Sequence, residues 1–324
     1  MSVCATRKPD MTAIARSESE EVALPAAGWT SLPPEYAIPD RAPSEAEARE
    51  YCRRLARSHY ENFSVASWFL PKNLQQHFFN VYAYCRISDD LGDEVGDAAA
   101  SLLLLDQWEM ELNACYDGQP RHPVFVALAE TVRKFEIPKH EFADLLTAFR
   151  QDQTVGRYET FHDLLGYCHY SANPVGHLVL YLCGYRDGER QQLSDYTCTA
   201  LQLANFWQDV SVDFLKGRIY LPLEDLRRFG VTEEAIRSGD NSSAFCQMMR
   251  FEVERARQWF AQGLPLVKKV DRKLATDIEL FSRGGQEILN AIERQGHAVL
   301  GRRPAISKMR KLALVGRAAF GKLR

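Results

Sequence analysis

Two groups of acidic residues have a spacing that suits metal chemistry. Asn205, Asp209 and Asp213 lie four apart, so a helix places them along one stripe. Asp89 and Asp93 share that spacing in an earlier segment. Carboxylates one helical turn apart repel each other unless a cation lies between them. The spacing therefore predicts a cation site, and the alternative is a solvated acidic face on each helix.

The residue types indicate which cation would bind. Oxygen ligands without a nearby His or Cys favour Mg²⁺ or Mn²⁺ over zinc. A di-iron bundle would need two ExxH motifs, and only Glu159 to His162 fits one. Proteins usually hold Mg²⁺ with a few carboxylates and the phosphates of a substrate. Two facing carboxylate helices therefore predict a cage for a phosphorylated ligand.

Long helical patterns surround both groups, and no run of alternating strand residues occurs. The pattern predicts helices near 71–94, 98–116, 122–135, 138–152, 160–184, 194–216, 242–269 and 272–295. The second acidic helix carries Leu203, Trp207 and Val210 opposite its polar stripe. Apolar residues such as Leu201 and Leu215 flank the stripe, so we expect this helix to be mostly buried. The predicted fold class is therefore all-α, with one large helical domain at 44–300.

The two ends of the chain differ in composition from this domain. Residues 1–43 are rich in Pro, Ala, Ser and Glu without periodicity, which predicts a flexible leader. Order is expected to begin at Ser44, which has capping-box spacing with Glu47. Residues 301–324 contain eight Lys or Arg and no acidic residue. They form a basic tail with interleaved apolar side chains, typical either of a peripheral membrane contact or of a solvated surface helix.

The composition also bears on where the protein is located in the cell and on what it binds. A net charge of -3 argues against nucleic-acid binding. Eight cysteines without a CxxC pair predict reduced thiols in a cytoplasmic protein. If the basic tail at 301–324 contacts a membrane, the protein would lie on its inner face. Residues 164–185 lack charged side chains and are long enough to span a bilayer. Their histidines and the Asn173-Pro174 break favour a kinked core helix instead.

The acidic segments also resemble a known family. The stretches "YAYCRISDDLGDE" and "QLANFWQDVSVDFLKGRIYLP" are similar to the two aspartate-rich motifs of the squalene and phytoene synthases, and the similarity extends over residues 45–312. The resemblance implies an isoprenoid synthase fold, a single large helical bundle with a central apolar pocket. It also implies that facing helices hold Mg²⁺ and the diphosphate of a prenyl substrate.

The resemblance assigns roles to individual residues. The implied metal ligands are Asp89, Asp93, Asn205, Asp209 and Asp213, and the first two are also catalytic candidates. Candidates for contact with the diphosphate are Arg86, Arg218, Tyr220 and one of Arg302 or Arg303, with Arg302 preferred. The segment "SHYENFSVASWFLP" adds three candidates for substrate contact, His59, Asn62 and Phe63. Tyr170 is the candidate catalytic tyrosine. The alternatives are surface ion pairs for the arginines, a core histidine for His59 and an ordinary buried phenol for Tyr170.

Two segments point to one branch of the family. Residues 171–176 read SANPVG, and this version, with "SHYENF", resembles the hydroxysqualene synthases of bacterial hopanoid biosynthesis. That branch implies Mg²⁺-dependent conversion of presqualene diphosphate and water to hydroxysqualene and diphosphate, a carbon-oxygen lyase reaction that needs no NADPH. It also implies contact with other hopanoid-pathway enzymes. The alternatives are condensation of two farnesyl diphosphates to presqualene diphosphate or squalene, and a non-catalytic scaffold.

Overall fold

The computed structural model describes residues 32–58 and 72–306. Within these ranges the chain forms α-helices and short 3₁₀ segments but no strand, so the all-α prediction is confirmed. The helices are α1 (Glu45–Ser58), α2 (Gln75–Asp93), α3 (Ala98–Tyr116), α4 (Pro123–Phe135), α5 (His140–Gln151), α6 (Phe161–Ser171), α7 (Asn173–Leu182), α8 (Gly188–Leu215), α9 (Leu223–Phe229), α10 (Glu233–Arg237), α11 (Ser243–Gly263) and α12 (Arg272–Arg294). The 3₁₀ segments are Pro34–Tyr36 and Leu264–Lys268.

Polar caps define where the helices begin. The backbone N–H of Ser44 donates to Glu47 Oε2 at 2.9 Å, and the Glu47 N–H donates back to Ser44 Oγ at 3.4 Å. The predicted capping box is therefore present at the start of α1. Asp187 caps α8 by accepting from the Arg190 N–H, which starts this helix before the predicted residue 194. α3 has the predicted bounds.

Prolines divide two of the predicted long helices. The pattern over 160–184 forms α6 and α7, with Ala172 between them and Pro174 in the first turn of α7. Proline suits the first turn because its missing N–H would have no partner there. Pro265 follows α11 in the same way, and the chain continues as a 3₁₀ turn. The kink expected within 160–184 is thus a break between two helices.

The core has two parts, and α8 runs through the second. Trp108 and Tyr84 are fully buried among α1 to α5, where Trp108 Nε1 donates to Ser88 Oγ at 2.9 Å. Trp207 and Phe245 are fully buried among α6, α8, α11 and α12. α8 therefore packs its apolar side against this second cluster. Its polar stripe is left to face away from the cluster.

Ordered packing extends beyond the predicted domain bounds at both ends. Leu32 and Tyr36 are 6% and 2% exposed, so part of the predicted leader packs on the core. At the other end, Gln208 Nε2 donates to the Pro304 carbonyl at 2.6 Å, which fixes the start of the basic tail against α8. Residues 1–31 and 307–324 lie outside the described residues.

The charge-free stretch 164–185 is shared between α6 and α7, whose Leu164, Leu178 and Leu180 are buried in the core. Among the helices of residues 32–58 and 72–306, none combines the length and apolar character that crossing a bilayer requires. The interpretation of this stretch as core helix therefore agrees with the structure.

Candidate active site

The carboxylates of Asp89 and Asp93 on α2 differ in how far nearby cations neutralise their charge. Asp93 accepts hydrogen bonds from Lys216 Nζ and Arg218 Nη1, both at 2.9 Å. Burial alone would raise the pKa of Asp93, but these two cations hold it below its usual value. Asp89 lies one turn away, and burial together with the charge of Asp93 raises its pKa to about 6. The cations that follow α8 thus join the two acidic helices, and they leave Asp89 as the less compensated carboxylate.

The stripe on α8 is more accessible than its sequence predicts. Asn205 is exposed, and Asp209 and Asp213 are partly exposed. Leu215, which was expected to be buried at the edge of the stripe, is 87% exposed. The expectation that this helix is mostly buried is therefore wrong for its polar side, which is open to solvent near the acidic end of α2. We call the region between the two acidic groups the cleft. The expected burial of Leu203, Trp207 and Val210 on the opposite side is confirmed.

Charge within the stripe is only partly neutralised. Arg303 forms an ion pair with Asp209, in which Nη2 donates to Oδ2 at 2.9 Å. Burial and the neighbouring charge of Asp209 raise the pKa of Asp213 to about 7. Asp213 and Asp89 therefore both retain a proton more readily than an ordinary carboxyl group. A cation placed between the helices would relieve this repulsion.

Arg86 and Asp90 form a pair on the first acidic helix. Arg86 Nε donates to Asp90 Oδ2 at 3.1 Å, while its Nη1 lies 3.5 Å from Asp89 Oδ2. Asp90 is buried and also accepts from Tyr36 Oη at 2.7 Å. Asp90 thus anchors residues 32–36 to α2, and Arg86 stands between this anchor and the cleft.

A second group at the cleft joins Tyr220, which the sequence predicted as a substrate contact, to Asp152 and Tyr167, which it did not predict. Asp152 accepts from Tyr167 Oη at 2.8 Å and from Tyr220 Oη at 3.2 Å. Burial raises the pKa of Asp152 to about 6, against the opposing charge of Arg218. Because Arg218 also contacts Asp93, the two tyrosines belong to the same network as the first acidic group. Tyr220 stacks on Phe206 with ring centroids 3.9 Å apart, which fixes its position.

The structure thus brings together most of the predicted residues, and it places others elsewhere. Tyr170 is partly exposed and contacts the ring of His169, whereas Tyr167 takes part in the network. Arg302 is exposed, and its neighbour Arg303 is the one that pairs with Asp209. The predicted contacts His59, Asn62 and Phe63 lie outside the described residues.

An apolar cavity of about 340 Å³ lies next to the cleft. Cys85 lines it on α2, one turn before Asp89, and Leu201 lines it on α8, one turn before Asn205. The two acidic helices therefore continue directly into the cavity wall. The other lining residues come from the same two helices and from α7, the second 3₁₀ turn and α12: Phe78, Val81, Tyr82, Val175, Gly176, Val179, Leu180, Leu182, Ser194, Thr197, Cys198, Leu266, Leu274, Asp277, Ile278 and Phe281.

The donor set fits a divalent cation shared with a phosphorylated ligand. No three His, Cys, Asp or Glu side chains in the described part of the chain converge into a ready-made cage. Magnesium commonly takes only one or two carboxylates and completes its shell with water and phosphate oxygens. Asp89 and Asp213 supply hard oxygen donors, and the raised pKa of each carboxyl group indicates charge still to be compensated.

Comparison with known proteins agrees with this geometry. The model of the family described as squalene/phytoene synthase matches residues 56–310. The chain belongs to the squalene/phytoene synthase family. Both acidic groups, the tyrosine network and the cavity-lining residues fall inside the matched range.

Solved structures in the family share the fold. Squalene synthase HpnC from Alicyclobacillus acidocaldarius is 44% identical, with a TM-score of 0.75 over 83% of this chain and 98% of that one. A dehydrosqualene synthase in complex with a ligand is 27% identical, with a TM-score of 0.77 over 86% of this chain and 97% of that one. The predicted isoprenoid synthase fold is therefore confirmed.

Curated relatives in the same family carry another name. A 15-cis-phytoene synthase from Synechocystis is 29% identical over 91% of this chain and 94% of its own length. A phytoene synthase from Arthrospira platensis is also 29% identical, over 83% of this chain and 91% of its own length. Family membership therefore establishes an enzyme of isoprenoid biosynthesis that acts on prenyl diphosphates.

Proposed function

We propose that the protein converts presqualene diphosphate and water to hydroxysqualene and diphosphate. The observation that carries the proposal is the direct continuation of two acidic, cation-lined helices into an apolar cavity. A diphosphate and a long hydrocarbon need these two environments side by side. The choice of reaction rests on the SANPVG and SHYENF segments, which resemble the hydroxysqualene branch.

The cleft would hold the diphosphate through its cations. Arg218 and Lys216 lie on one side beside Asp93, and Arg303 lies on the other beside Asp209. These guanidinium and ammonium groups can exchange a carboxylate partner for a phosphate oxygen when substrate enters. Arg86 stands next to Asp89 and can do the same. Four cations around one cleft would stabilise the negative charge that develops on the leaving diphosphate.

Magnesium, or manganese in its place, is the cofactor that this donor set fits. Asp89 and Asp93 on α2, with Asn205, Asp209 and Asp213 on α8, are the residues that would hold it. When bound, the metal supplies Lewis-acid stabilisation of the diphosphate. The protein's own contribution is to keep these oxygens on two rigid helices that face one cleft.

The remaining steps depend on the cavity and the tyrosines. The C–O bond to diphosphate breaks with its electron pair, and the cyclopropylcarbinyl cation left behind rearranges as a C–C bond of its cyclopropane ring opens. The resulting acyclic chain gains the oxygen of a water, which loses a proton. The apolar walls exclude other nucleophiles from the cation. Tyr167 is held by Asp152 beside Arg218, which places it near the diphosphate. We therefore include Tyr167 in the site, and Tyr170 stays a prediction.

Condensation of two farnesyl diphosphates to presqualene diphosphate or squalene is the second candidate function, and the name of the 44% identical relative, a squalene synthase, favours it. Substrate choice separates the two. With Mg²⁺ and without NADPH, presqualene diphosphate should release diphosphate readily, while farnesyl diphosphate should be a poor substrate. Efficient conversion of farnesyl diphosphate to presqualene diphosphate would favour condensation.

Matched variants complete this test. Arg218→Lys keeps a charge but loses the fork-shaped donor set, so it should lower turnover strongly. Arg237→Lys on α10, whose arginine is exposed and pairs with Glu234, should leave turnover unchanged. Full activity in EDTA would contradict the metal site. Consumption of neither diphosphate under any metal condition would support the scaffold alternative.

A further inference from the structure

One carboxyl group lies in the wall of the apolar cavity, away from the acidic cleft. Asp277 on α12 is 4% exposed and lines the cavity among leucine, isoleucine and phenylalanine side chains. Neither of its carboxyl oxygens has a hydrogen-bond partner among residues 32–58 and 72–306. Burial, with a smaller contribution from Asp271, raises the pKa of Asp277 to about 7. A buried carboxyl group without a partner is destabilising, so its presence calls for a functional explanation.

The packing of α12 places Asp277 at the far end of the cavity. Gly285 lies so close to α8 that a Cβ there would come within 2.8 Å of Leu201 Cδ2. Asp277 precedes Gly285 by two helical turns. Its charge acts on the thiol of Cys183, which lies between the end of α7 and the start of α8, so Asp277 lies toward the start of α8 and away from the acidic stripe near its end. The cavity residue on α8 farthest from the cleft is Ser194, eleven residues before Asn205, or about 16 Å at the α-helical rise.

We propose that Asp277 limits the length of hydrocarbon chain that the cavity accepts. The inference rests on the proposed function, because it assumes that a prenyl chain enters from the cleft. The carboxyl group keeps its hydrogen-bonding capacity at the far end of an otherwise apolar wall. A chain that ends before Asp277 leaves the group able to bind water. A longer chain must pack against it and leave both oxygens unsatisfied, which lowers affinity.

The geometry makes the effect specific to chain length. The cations and carboxylates that bind diphosphate lie at the opposite end of α8, so a change at Asp277 leaves that contact intact. A purely structural role would require a partner that Asp277 holds in place, and the described residues supply none. Asp277 is thus a specificity-determining residue for the proposed reaction.

The test compares binding of two prenyl chains that differ by one isoprene unit. Non-hydrolysable thio analogues of farnesyl and geranylgeranyl diphosphate are titrated calorimetrically, with Mg²⁺, into the full-length protein. Asp277→Leu should raise the ratio of geranylgeranyl to farnesyl affinity by about tenfold or more, since small changes of apolar fit shift discrimination by that order. Asp277→Asn keeps a polar group and should leave the ratio unchanged. Glu279→Leu also replaces a carboxyl group by leucine, two residues away and outside the cavity lining, and should leave the ratio unchanged.

The outcomes separate this inference from the proposed function. Asp277→Leu should be at least as heat-stable as the wild type, because it removes a buried carboxyl group without a partner. If leucine prevents folding, Asp277→Val makes the same comparison with a smaller side chain. An unchanged ratio in the leucine variant, or an equal rise in the asparagine variant, overturns the role of Asp277. A wild type that binds neither analogue also overturns it, whereas a wild type that consumes no presqualene diphosphate contradicts the proposed function itself.

Discussion

Replacing Asp213 by Asn should make the protein more stable while it removes activity. In the folded protein, burial and the charge of Asp209 raise the pKa of Asp213 from 3.8 to about 7. A shift of about three units corresponds to roughly 4 kcal/mol of penalty on the ionised form. Since the side chain is partly exposed and solvent screens its charge, we expect a gain of about 1–3 kcal/mol, or roughly 1–4 °C in Tm for a chain of this length.

The sign of the pH dependence follows from the same shift. Because the folded protein holds this proton more tightly than the unfolded chain does, the penalty grows as pH rises from about 4 to about 7 and then stays constant. Asp213→Asn should therefore gain most over the wild type at pH 8 and little near pH 4.5. Thermal unfolding in EDTA at both pH values measures this difference.

Metal gives the matching functional readout. Mg²⁺ with inorganic diphosphate should raise the Tm of the wild type more than that of Asp213→Asn, since the variant has one ligand fewer. Asp117→Asn, at an exposed position after α3, serves as the control and should change neither stability nor turnover. If Asp213→Asn is no more stable than the wild type at pH 8 in EDTA, repulsion within the α8 stripe is not the cause of the shift.

Three further predictions concern packing, charge and the membrane. Gly176→Ala should lower the free energy of unfolding by about 1–3 kcal/mol, because a Cβ would come within 2.2 Å of Ser194 Oγ. In the same unfolding assay Gly166→Ala should be neutral or stabilising, because a Cβ at Gly166 meets open space. His177 is hydrogen-bonded to Glu141 and Asp195, and despite burial these two carboxylates raise its pKa to about 9. His177→Gln should therefore lower the free energy of unfolding by about 2 kcal/mol at pH 6.5, and this loss should shrink as the pH rises to 9. Deleting residues 307–324 should reduce co-sedimentation with anionic vesicles, and unchanged binding would count against the tail as a membrane contact.

Local patterns predicted the helices and the first layer of the site. The four-residue spacing of Asp89 and Asp93, and of Asn205, Asp209 and Asp213, directly determines which side of a helix each residue occupies. The structure accordingly places both sets at one cleft, joined by Lys216 and Arg218. Capping residues and prolines fixed several helix ends for the same reason, since their effect reaches only a few residues along the chain.

Contacts between distant segments were not available from such patterns. Arg303 meets Asp209 across 94 positions of sequence, and nothing local distinguishes it from Arg302. Tyr167 meets Asp152 only because α6 packs against α5. One signal did exist: Tyr167 lies three residues after buried Leu164, which places it on the core side of α6. The exposure of Leu215 was missed for the same reason, because it depends on which distant segments pack against α8 and not on the local sequence.

The oxygen of the product tests the central claim most directly. Wild-type protein is incubated with Mg²⁺ and presqualene diphosphate in ¹⁸O-water without NADPH, and the lipid product is examined by mass spectrometry. The proposed reaction predicts hydroxysqualene that carries one ¹⁸O atom, together with released diphosphate, because the cation gains its oxygen from solvent. A hydrocarbon product without oxygen, or hydroxysqualene without the label, would contradict capture of water in this cavity.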